Sequence, residues 1–324
     1  MTPIVSVQNL YVRFTGGRTV HALNGVSFSV KEGEVLGLIG ESGSGKSVTL
    51  RALIRLLPAH KTVVEGSITA GGRDVMTLSQ DELRALRGRV VSMIFQEPML
   101  ALDPVYTIGQ QIAETVAAHE DVSGAEGRKR ALEMLEHVRI PSAKQRLDAF
   151  PHELSGGMRQ RAMIALALSC RPKVLLADEP TTALDNTVQI QILLLLRELQ
   201  RELGMAVIFV THNIGAAAEI CDRVAVMYAG RIVETGTMSQ IVKTPSHPYT
   251  RGLLACSVHG SDRERHLPSI PGSPPLLDKF IDGCAFAPRC EYAMETCLSG
   301  DIPVIVAGNG QSARCIAPLE DAAA

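Results

Sequence analysis

One run of eight residues constrains this chain more than any other feature, because its spacing of glycines before a lysine and a serine is that of a loop that binds phosphate. The run consists of Gly40, Glu41, Ser42, Gly43, Ser44, Gly45, Lys46 and Ser47. An apolar segment typical of a buried strand precedes it at residues 35–39, and apolar residues at helical spacing follow it at residues 48–57. The chain is therefore expected to bind a nucleoside triphosphate.

The residue types of this loop each have a chemical reason. Glycines let backbone N–H groups approach phosphate oxygens, and the N-terminus of the following helix favours negative charge. Lys46 is expected to contact the β- and γ-phosphates, and Ser47 to ligate Mg²⁺.

Composition and charge limit the other functions that the chain can have. Its 324 residues have a net charge of −2, which provides no global positive field for nucleic acid or anionic lipid. With 46% hydrophobic and 4% aromatic residues, we expect a globular protein of about two domains with an aliphatic core. No apolar run reaches the ~18 residues of a membrane span, and no signal peptide is recognisable. We therefore expect a cytosolic chain that acts at a membrane only through other chains.

The order of predicted elements indicates an α/β protein. Strands that alternate with helices favour a mostly parallel sheet. Strands are predicted at residues 5–7, 26–30, 35–39, 90–95, 173–178 and 206–211, helices at 48–57, 108–118, 128–138 and 189–203, and a hairpin at 224–228 and 231–234. A helical subdomain of about residues 97–165 is inserted between strands. Prolines become frequent from Thr244, so we place a domain boundary between residues 1–243 and 244–324.

Two carboxylates stand at the end of the predicted strand at residues 173–178. Asp178 ends this apolar strand and Glu179 comes directly after it. The carboxyl end of a buried strand is where an α/β nucleotide site places its metal-binding group, so Asp178 is expected to hold Mg²⁺ directly or through water. Glu179 is expected to polarise the attacking water as a general base.

A second motif predicts another site for an anion. Ser155, Gly156 and Gly157 stand at the start of a predicted helix, where backbone N–H groups and the helix dipole favour negative charge. Each chain would then have two anion-binding sites, which we call anion cradles, but only one triphosphate. In a head-to-tail dimer, the second cradle of each chain would face the γ-phosphate held by the partner, so that both cradles would be used.

These three motifs together resemble those of the ATP-binding cassette (ABC) ATPases, whose signature is Leu-Ser-Gly-Gly. The resemblance covers about residues 4–240 and implies the P-loop NTPase fold of this family. It implies that Gln96 senses Mg²⁺ and water and contacts a permease. Ala183, Leu184 and Asp185 would form the loop that crosses the dimer interface, and His212 would contact the γ-phosphate. Phe14 would stack on adenine, although nearby Tyr11 is an alternative and both could be core residues.

Three positions differ from the residues common in this family. Asn213 follows the histidine where Asp is common, Glu97 follows Gln96 where Asp is frequent, and Asn186 stands where many relatives have Val. None of these changes removes a predicted phosphate or metal ligand.

The C-terminal residues 245–316 resemble the C-terminal extension of the oligopeptide and dipeptide importer ATPases, a branch that also includes nickel and glutathione importers. The motifs that carry this resemblance are His-Pro-Tyr-Thr at residues 247–250, Ile-Pro-Gly-Ser-Pro-Pro at 270–275 and the segment 283–290.

Four cysteines are concentrated in this extension, at Cys284, Cys290, Cys297 and Cys315. Four thiolates can bind Zn²⁺ or an iron–sulfur cluster, and in a cytosolic chain such a group indicates metal more than disulfides. Structural zinc sites favour short Cys-x₂₋₄-Cys spacings, which are missing here, so the wide spacing favours a [4Fe–4S] cluster, as does the resemblance. Zn²⁺ and free structural thiols remain the alternatives.

The resemblance implies that the chain is the ATPase of a peptide importer at the cytoplasmic face of the inner membrane. Its partners would be two transmembrane permease subunits, a second ABC ATPase that is a paralogue, and a solute-binding protein outside the membrane. An importer of nickel, glutathione or another small solute is the alternative within the branch. A soluble ABC ATPase acting on nucleic acid or ribosomes is disfavoured, because the chain has one cassette, no sustained heptads and no basic run.

Overall fold

The computed structural model describes residues 2–182, 184–257 and 269–317. Ala183 of the predicted dimer-interface loop and the end of the predicted C-terminal domain, residues 318–324, lie outside the described residues. The chain forms two compact units. Unit 1 comprises the described parts of residues 1–5, 30–34 and 69–210, and unit 2 those of residues 6–29, 35–68 and 211–324.

Strands and helices alternate along most of the described chain. The strands are β1 (Val5–Phe14), β2 (Val20–Val30), β3 (Val35–Ile39), β4 (Thr62–Ala70), β5 (Arg73–Asp74), β6 (Val91–Ile94), β7 (Val174–Asp178), β8 (Ala206–Thr211), β9 (Arg223–Tyr228), β10 (Arg231–Thr237), β11 (Ile305–Val306) and β12 (Ser312–Ala313). The α-helices are α1 (Lys46–Leu53), α2 (Gln80–Leu86), α3 (Pro98–Ala101), α4 (Ile108–His119), α5 (Gly124–His137), α6 (Ala143–Arg146), α7 (Gly156–Leu168), α8 (Asn186–Leu203), α9 (Ile214–Ile220), α10 (Met238–Lys243) and α11 (Pro248–Ser257). No helix in the described part of the chain is both long enough and apolar enough to span a membrane.

Unit 1 is built on three parallel strands in the order β8, β7, β6. Every residue of β7 and β8 is buried, which explains why both read as continuous apolar runs in the sequence. Helices α3 to α7 lie between β6 and β7 in the chain, in the range for which the sequence predicts a helical subdomain. Because parallel strands end at the same edge of a sheet, the residues that follow β6 and β7 share one edge.

Unit 2 contains the strand that leads into the phosphate loop. Strand β3 pairs with β9 in parallel, and β9 pairs with β10 in antiparallel register. The β9–β10 hairpin turns at Ala229 and Gly230, whose φ angles of 48° and 76° are those of a tight two-residue turn. The predicted hairpin is therefore confirmed. Strands β1, β2 and β4 belong to a separate four-stranded sheet, in which β1 and β2 are much longer than the predicted strands.

Several helix boundaries differ from those predicted. Helix α1 ends at Leu53 instead of residue 57, because Arg55 has a positive φ of 48° and Pro58 follows shortly after. Helix α8 begins at Asn186 instead of residue 189, because Asp185 caps it by accepting a hydrogen bond from the Val188 N–H at 2.9 Å. The helical spacing of apolar residues predicted these helices, but residues at their ends determine where they begin and end.

A buried carboxylate connects β10 to the C-terminal residues within unit 2. Glu234 accepts hydrogen bonds from the backbone N–H groups of Ser246 and His247 at 2.7 and 2.9 Å. It also accepts one from Gln311 Nε2 at 2.8 Å, and β12 pairs with β10 beside it. The C-terminal residues therefore extend the β10 edge of a sheet, which the sequence did not predict.

Replacing this carboxylate tests how much it stabilises the fold. We expect Glu234→Gln to lower the free energy of unfolding by about 1–3 kcal/mol, because the amide presents N–H groups to donors that need an acceptor. Urea denaturation measures the change. The control is Glu65→Gln, whose side chain is 61% exposed and pairs with Arg13 on the surface; it should cost less than about 1 kcal/mol. Equal losses in both variants would contradict the anchoring role.

Candidate functional site

The phosphate loop of unit 2 connects the end of β3 to the start of α1. Gly45 precedes the helix with a φ of 103°, a conformation that side-chain-bearing residues rarely adopt. A Cβ atom on Gly40 would lie 2.1 Å from the carbonyl oxygen of Met227. The two glycines that define the motif are therefore required by backbone geometry, independently of any ligand.

Lys46 lies buried inside this loop. Its Nζ donates hydrogen bonds to the carbonyl oxygens of Gly40 and Glu41 at 2.8 and 2.9 Å, and approaches Ser44 Oγ at 3.4 Å. The loop thus holds a positive charge at the N-terminus of α1, where backbone N–H groups also lack helical partners. This arrangement suits the binding of a polyphosphate. Ser47, the predicted Mg²⁺ ligand, is the second residue of α1 and is half-buried.

The other predicted residues of unit 2 lie near strand ends. Phe14 ends β1 and is half-buried, whereas Tyr11 is 39% exposed and its ring lies against Gly25. His212 is exposed and follows directly after β8. Asn213 caps helix α9, where its Oδ1 accepts a hydrogen bond from the Ala216 N–H at 3.2 Å. Asn and Asp cap helices about equally well, so this departure from the family pattern preserves the local fold.

Unit 1 brings the predicted metal and base residues to one edge. Asp178 is the buried last residue of β7, and Glu179 follows with a φ of 46°. Such a left-handed conformation is uncommon outside glycine and is often found at functional sites. The N–H of Glu179 donates to the carbonyl oxygen of Val210 at 3.0 Å, which ties this residue to β8.

The Glu179 carboxylate has two side-chain partners in unit 1. Gln96 Nε2, after the end of β6, lies 3.4 Å from Glu179 Oε2. Thr182 Oγ1 donates to the same oxygen at 2.9 Å. Thr182 was not predicted as a site residue, and its position three residues after Glu179 in the same turn was the available signal. Both partners orient the carboxylate.

The second predicted anion cradle lies at the N-terminus of α7. Ser155 is the N-cap, and its Oγ accepts a hydrogen bond from the Met158 N–H at 3.3 Å. Ser155 and Gly156 are exposed, and Gly157 is half-buried, so the start of this 13-residue helix is accessible from outside unit 1. Asp185, also exposed, caps α8. Its observed role is therefore a structural one.

The four cysteines of the C-terminal region line one cavity of about 20 Å³ in unit 2, together with His247 and Phe286. Burial raises the pKa values of the Cys284, Cys290 and Cys315 thiols, and the neighbouring cysteines act in the same direction. Across the described ranges, no group of three or more His, Cys, Asp and Glu side chains has the geometry to hold a metal ion. The four cysteines therefore line one cavity, but they do not form a site for a single metal ion.

The comparisons with known proteins agree with the motifs. The family described as "ABC transporter" matches residues 23–182, and that described as "Oligopeptide/dipeptide transporter, C-terminal region" matches residues 233–297. The oligopeptide transport ATP-binding protein OppD of Haemophilus influenzae is 49% identical over 92% of this chain and 92% of its own length. The chain belongs to the ABC transporter ATPases. The family resemblance and the P-loop NTPase fold predicted from the sequence are both confirmed.

Further relatives of this ABC ATPase support the same assignment. A protein of Escherichia coli named a probable D,D-dipeptide transport ATP-binding protein, DdpD, is 46% identical over 97% of this chain and 95% of its own length. Among solved structures, the ATP-binding cassette MJ0796, a dimer in a post-hydrolysis state with ADP and phosphate, is 32% identical. It has a TM-score of 0.64 and covers 72% of this chain and 98% of its own.

Two residues that contact the phosphate loop of the ABC ATPase were not identified from its sequence. Arg289 pairs with the Glu41 carboxylate at 2.8 Å, and the Tyr249 hydroxyl accepts a hydrogen bond from the Glu41 N–H at 2.8 Å. Both come from the C-terminal region, which was predicted from the sequence to be a separate domain. Their separation from the loop by more than 200 residues gave no local signal.

Removing the ammonium group of Lys46 tests whether the phosphate loop binds MgATP. We expect Lys46→Ala to weaken MgATP binding by about tenfold or more, because hydrogen bonds to a charged donor are lost. Equilibrium dialysis with labelled ATP measures the dissociation constant. Lys61→Ala, which removes an exposed lysine of the same unit, is the control and should leave it unchanged. A normal ATP affinity in Lys46→Ala would contradict the assignment of the cradle.

Proposed function

We propose that this chain is the ATP-hydrolysing subunit of an importer that takes up di- and oligopeptides. The observation that carries the proposal is the match of residues 233–297 to the C-terminal region of oligopeptide and dipeptide transporters, in a chain that also matches the ABC ATPase family. Relatives that span nearly the whole chain are named for oligopeptide and dipeptide transport.

The residues described above have defined roles in the proposed reaction. The loop around Lys46 binds the β- and γ-phosphates through its ammonium and backbone N–H groups. Ser47 would ligate Mg²⁺, and Asp178 would hold it directly or through water. The bound ion would neutralise charge at the phosphates, and Gln96 would sense the metal and water. Glu179 accepts a proton from the attacking water, and His212 contacts the γ-phosphate.

Hydrolysis in this proposal takes place in a head-to-tail dimer of ATPase subunits. The exposed N-terminus of α7, with Ser155, Gly156 and Gly157, faces the γ-phosphate bound by the partner subunit. Asp185 contributes to the dimer interface. The similarity to a cassette that forms a dimer with ADP and phosphate bound supports this arrangement. The partner is a paralogue of this chain.

The dimer acts on two transmembrane permease subunits at the cytoplasmic face of the inner membrane. A solute-binding protein delivers the peptide from outside. The dimer closes when it binds ATP and opens after hydrolysis, and these movements switch the permeases between their two states. The names of the relatives, which are ATP-binding proteins of peptide transport, support permease partners.

We further propose that the C-terminal cysteines ligate a [4Fe–4S] cluster that stabilises this region. The arrangement of Cys284, Cys290, Cys297 and Cys315 around one cavity supports it. A single Zn²⁺ would need all four sulfurs about 2.3 Å from one point, and the described side chains form no such site. A larger cluster accepts more widely separated thiolates. When bound, it would crosslink a region that has little regular secondary structure.

A conservative change tests the general base. We expect Glu179→Gln to lower the rate of ATP hydrolysis by about 100-fold or more while ATP still binds, because the amide cannot accept the proton from water. The variant should accumulate as the ATP-bound dimer. Glu133→Gln is the matched control and should hydrolyse ATP normally, because this half-exposed carboxylate of α5 pairs with Lys129. Unchanged hydrolysis in Glu179→Gln would refute the base assignment.

The test of function is uptake of labelled di- and oligopeptides by a deletion strain that carries either this chain or its Glu179→Gln variant. Uptake restored by the unmutated chain alone would support both the peptide substrate and ATP hydrolysis at this site. Restored uptake of nickel or glutathione without peptide uptake would overturn the peptide substrate and retain the transport ATPase.

Metal analysis of anaerobically purified protein tests the cysteine proposal. We expect about four irons and four sulfides per chain, and a large loss of both in Cys290→Ser. Cys256→Ser is the control, since this thiol does not line the four-cysteine cavity. Fewer than about one iron per chain would contradict the cluster, and one zinc per chain would favour the alternative site.

A further inference from the structure

The second residue of the phosphate loop, Glu41, is held by the C-terminal region of unit 2. Its carboxylate receives two hydrogen bonds from the Arg289 guanidinium, one from Nη1 to Oε2 at 2.8 Å and one from Nη2 to Oε1 at 3.2 Å. The Arg289 side chain is 6% exposed and that of Glu41 is 26% exposed. A bidentate pair of this kind fixes both position and orientation, and its partial burial limits screening by solvent.

Arg289 is itself fully engaged. Besides Glu41, it donates to the carbonyl oxygens of Pro271 and Ile270 at 2.8 and 3.3 Å and to the Tyr228 hydroxyl at 3.2 Å. These contacts use all five N–H groups that a guanidinium carries. The group also lies over the Phe286 ring at 5.9 Å. Arg289 is therefore a rigid support, and its hydrogen bonds with Glu41 raise its pKa further above the ordinary value.

Tyr249 holds the backbone of the same loop residue. Its hydroxyl accepts a hydrogen bond from the Glu41 N–H at 2.8 Å, and its ring is fully buried against Tyr228 and Phe286. Tyr249 lies at the start of α11, whose N-terminus is connected to β10 through Glu234. A continuous series of buried contacts thus leads from the sheet to the backbone of the phosphate loop.

The orientation of Glu41 matters because its carbonyl oxygen is a contact of the phosphate-binding lysine. Lys46 Nζ donates to this carbonyl at 2.9 Å, and the Ser44 N–H donates to it at 3.2 Å. A rotation of the Glu41 peptide would therefore move both groups. In addition, an unpaired Glu41 carboxylate would repel a bound triphosphate, and Arg289 neutralises that charge.

We propose that Arg289 and Tyr249 are positioning residues that hold Glu41, and through it the phosphate loop, in the conformation that binds MgATP. The proposal rests on the proposed role of this loop in ATP binding. It predicts that residues in the C-terminal region determine nucleotide affinity without contacting the nucleotide.

The test is the MgATP dissociation constant of the full-length chain, measured with labelled ATP, together with the KM and kcat of hydrolysis. We expect Arg289→Gln to raise the dissociation constant and KM by about tenfold while kcat at saturating ATP changes little. Tyr249→Phe keeps the buried ring and should weaken binding several-fold. Arg314→Gln is the control, because Arg314 bonds to Asp301 and Ile302 in the same region, away from the loop.

A double variant tests whether the unpaired carboxylate contributes to the loss of affinity. The change Glu41→Gln added to Arg289→Gln removes this carboxylate, and we expect it to restore part of the lost ATP affinity. Because removal of an unpaired, part-buried charge can also stabilise the fold, urea denaturation measures the free energy of unfolding of every variant. Normal ATP affinity in both Arg289→Gln and Tyr249→Phe would overturn the proposal, as would a loss of affinity that is fully accounted for by unfolding of the variants. Failure of the proposed function itself would appear separately, as unimpaired binding in Lys46→Ala.

Discussion

The structure depends on holding a buried ammonium group inside a loop of backbone. Lys46 is only 5% exposed, so its charge must be compensated by the carbonyl oxygens of Gly40 and Glu41. That requirement fixes the path of the loop, which in turn needs a left-handed residue at Gly45 and no side chain at Gly40. The strand before the loop and the helix after it keep this geometry in place.

The same physical arrangement recurs at the other functional elements. Polar residues stand at the ends of buried strands, as with the buried Asp178 at the end of β7 and the half-buried Glu179 after it, or at exposed helix starts, as with Ser155 before α7. The buried strands hold these residues in fixed positions. In unit 2 the C-terminal region adds a further support, because Arg289 and Tyr249 bind the loop residue Glu41. This region therefore contacts the phosphate loop as well as identifying the branch of the family.

Local patterns were sufficient to locate the phosphate loop, the buried strands and the main helices, since each depends on residues close together in sequence. The exact helix ends were not predictable from periodicity, because they depend on caps such as Asp185 and on the left-handed Arg55. The pairing of Arg289 with Glu41 joins positions 248 residues apart. Such a contact follows from the tertiary fold, and no spacing rule in the sequence indicates it.

We propose that ATP hydrolysis by this chain is coupled to the import of peptide. This coupling can be measured as the ATPase rate of the complete importer in proteoliposomes, with its solute-binding protein either empty or loaded with peptide. We expect peptide-loaded binding protein to raise the rate several-fold over the empty form. An equal rate with empty and peptide-loaded binding protein, or stimulation by a nickel-loaded one alone, would contradict it.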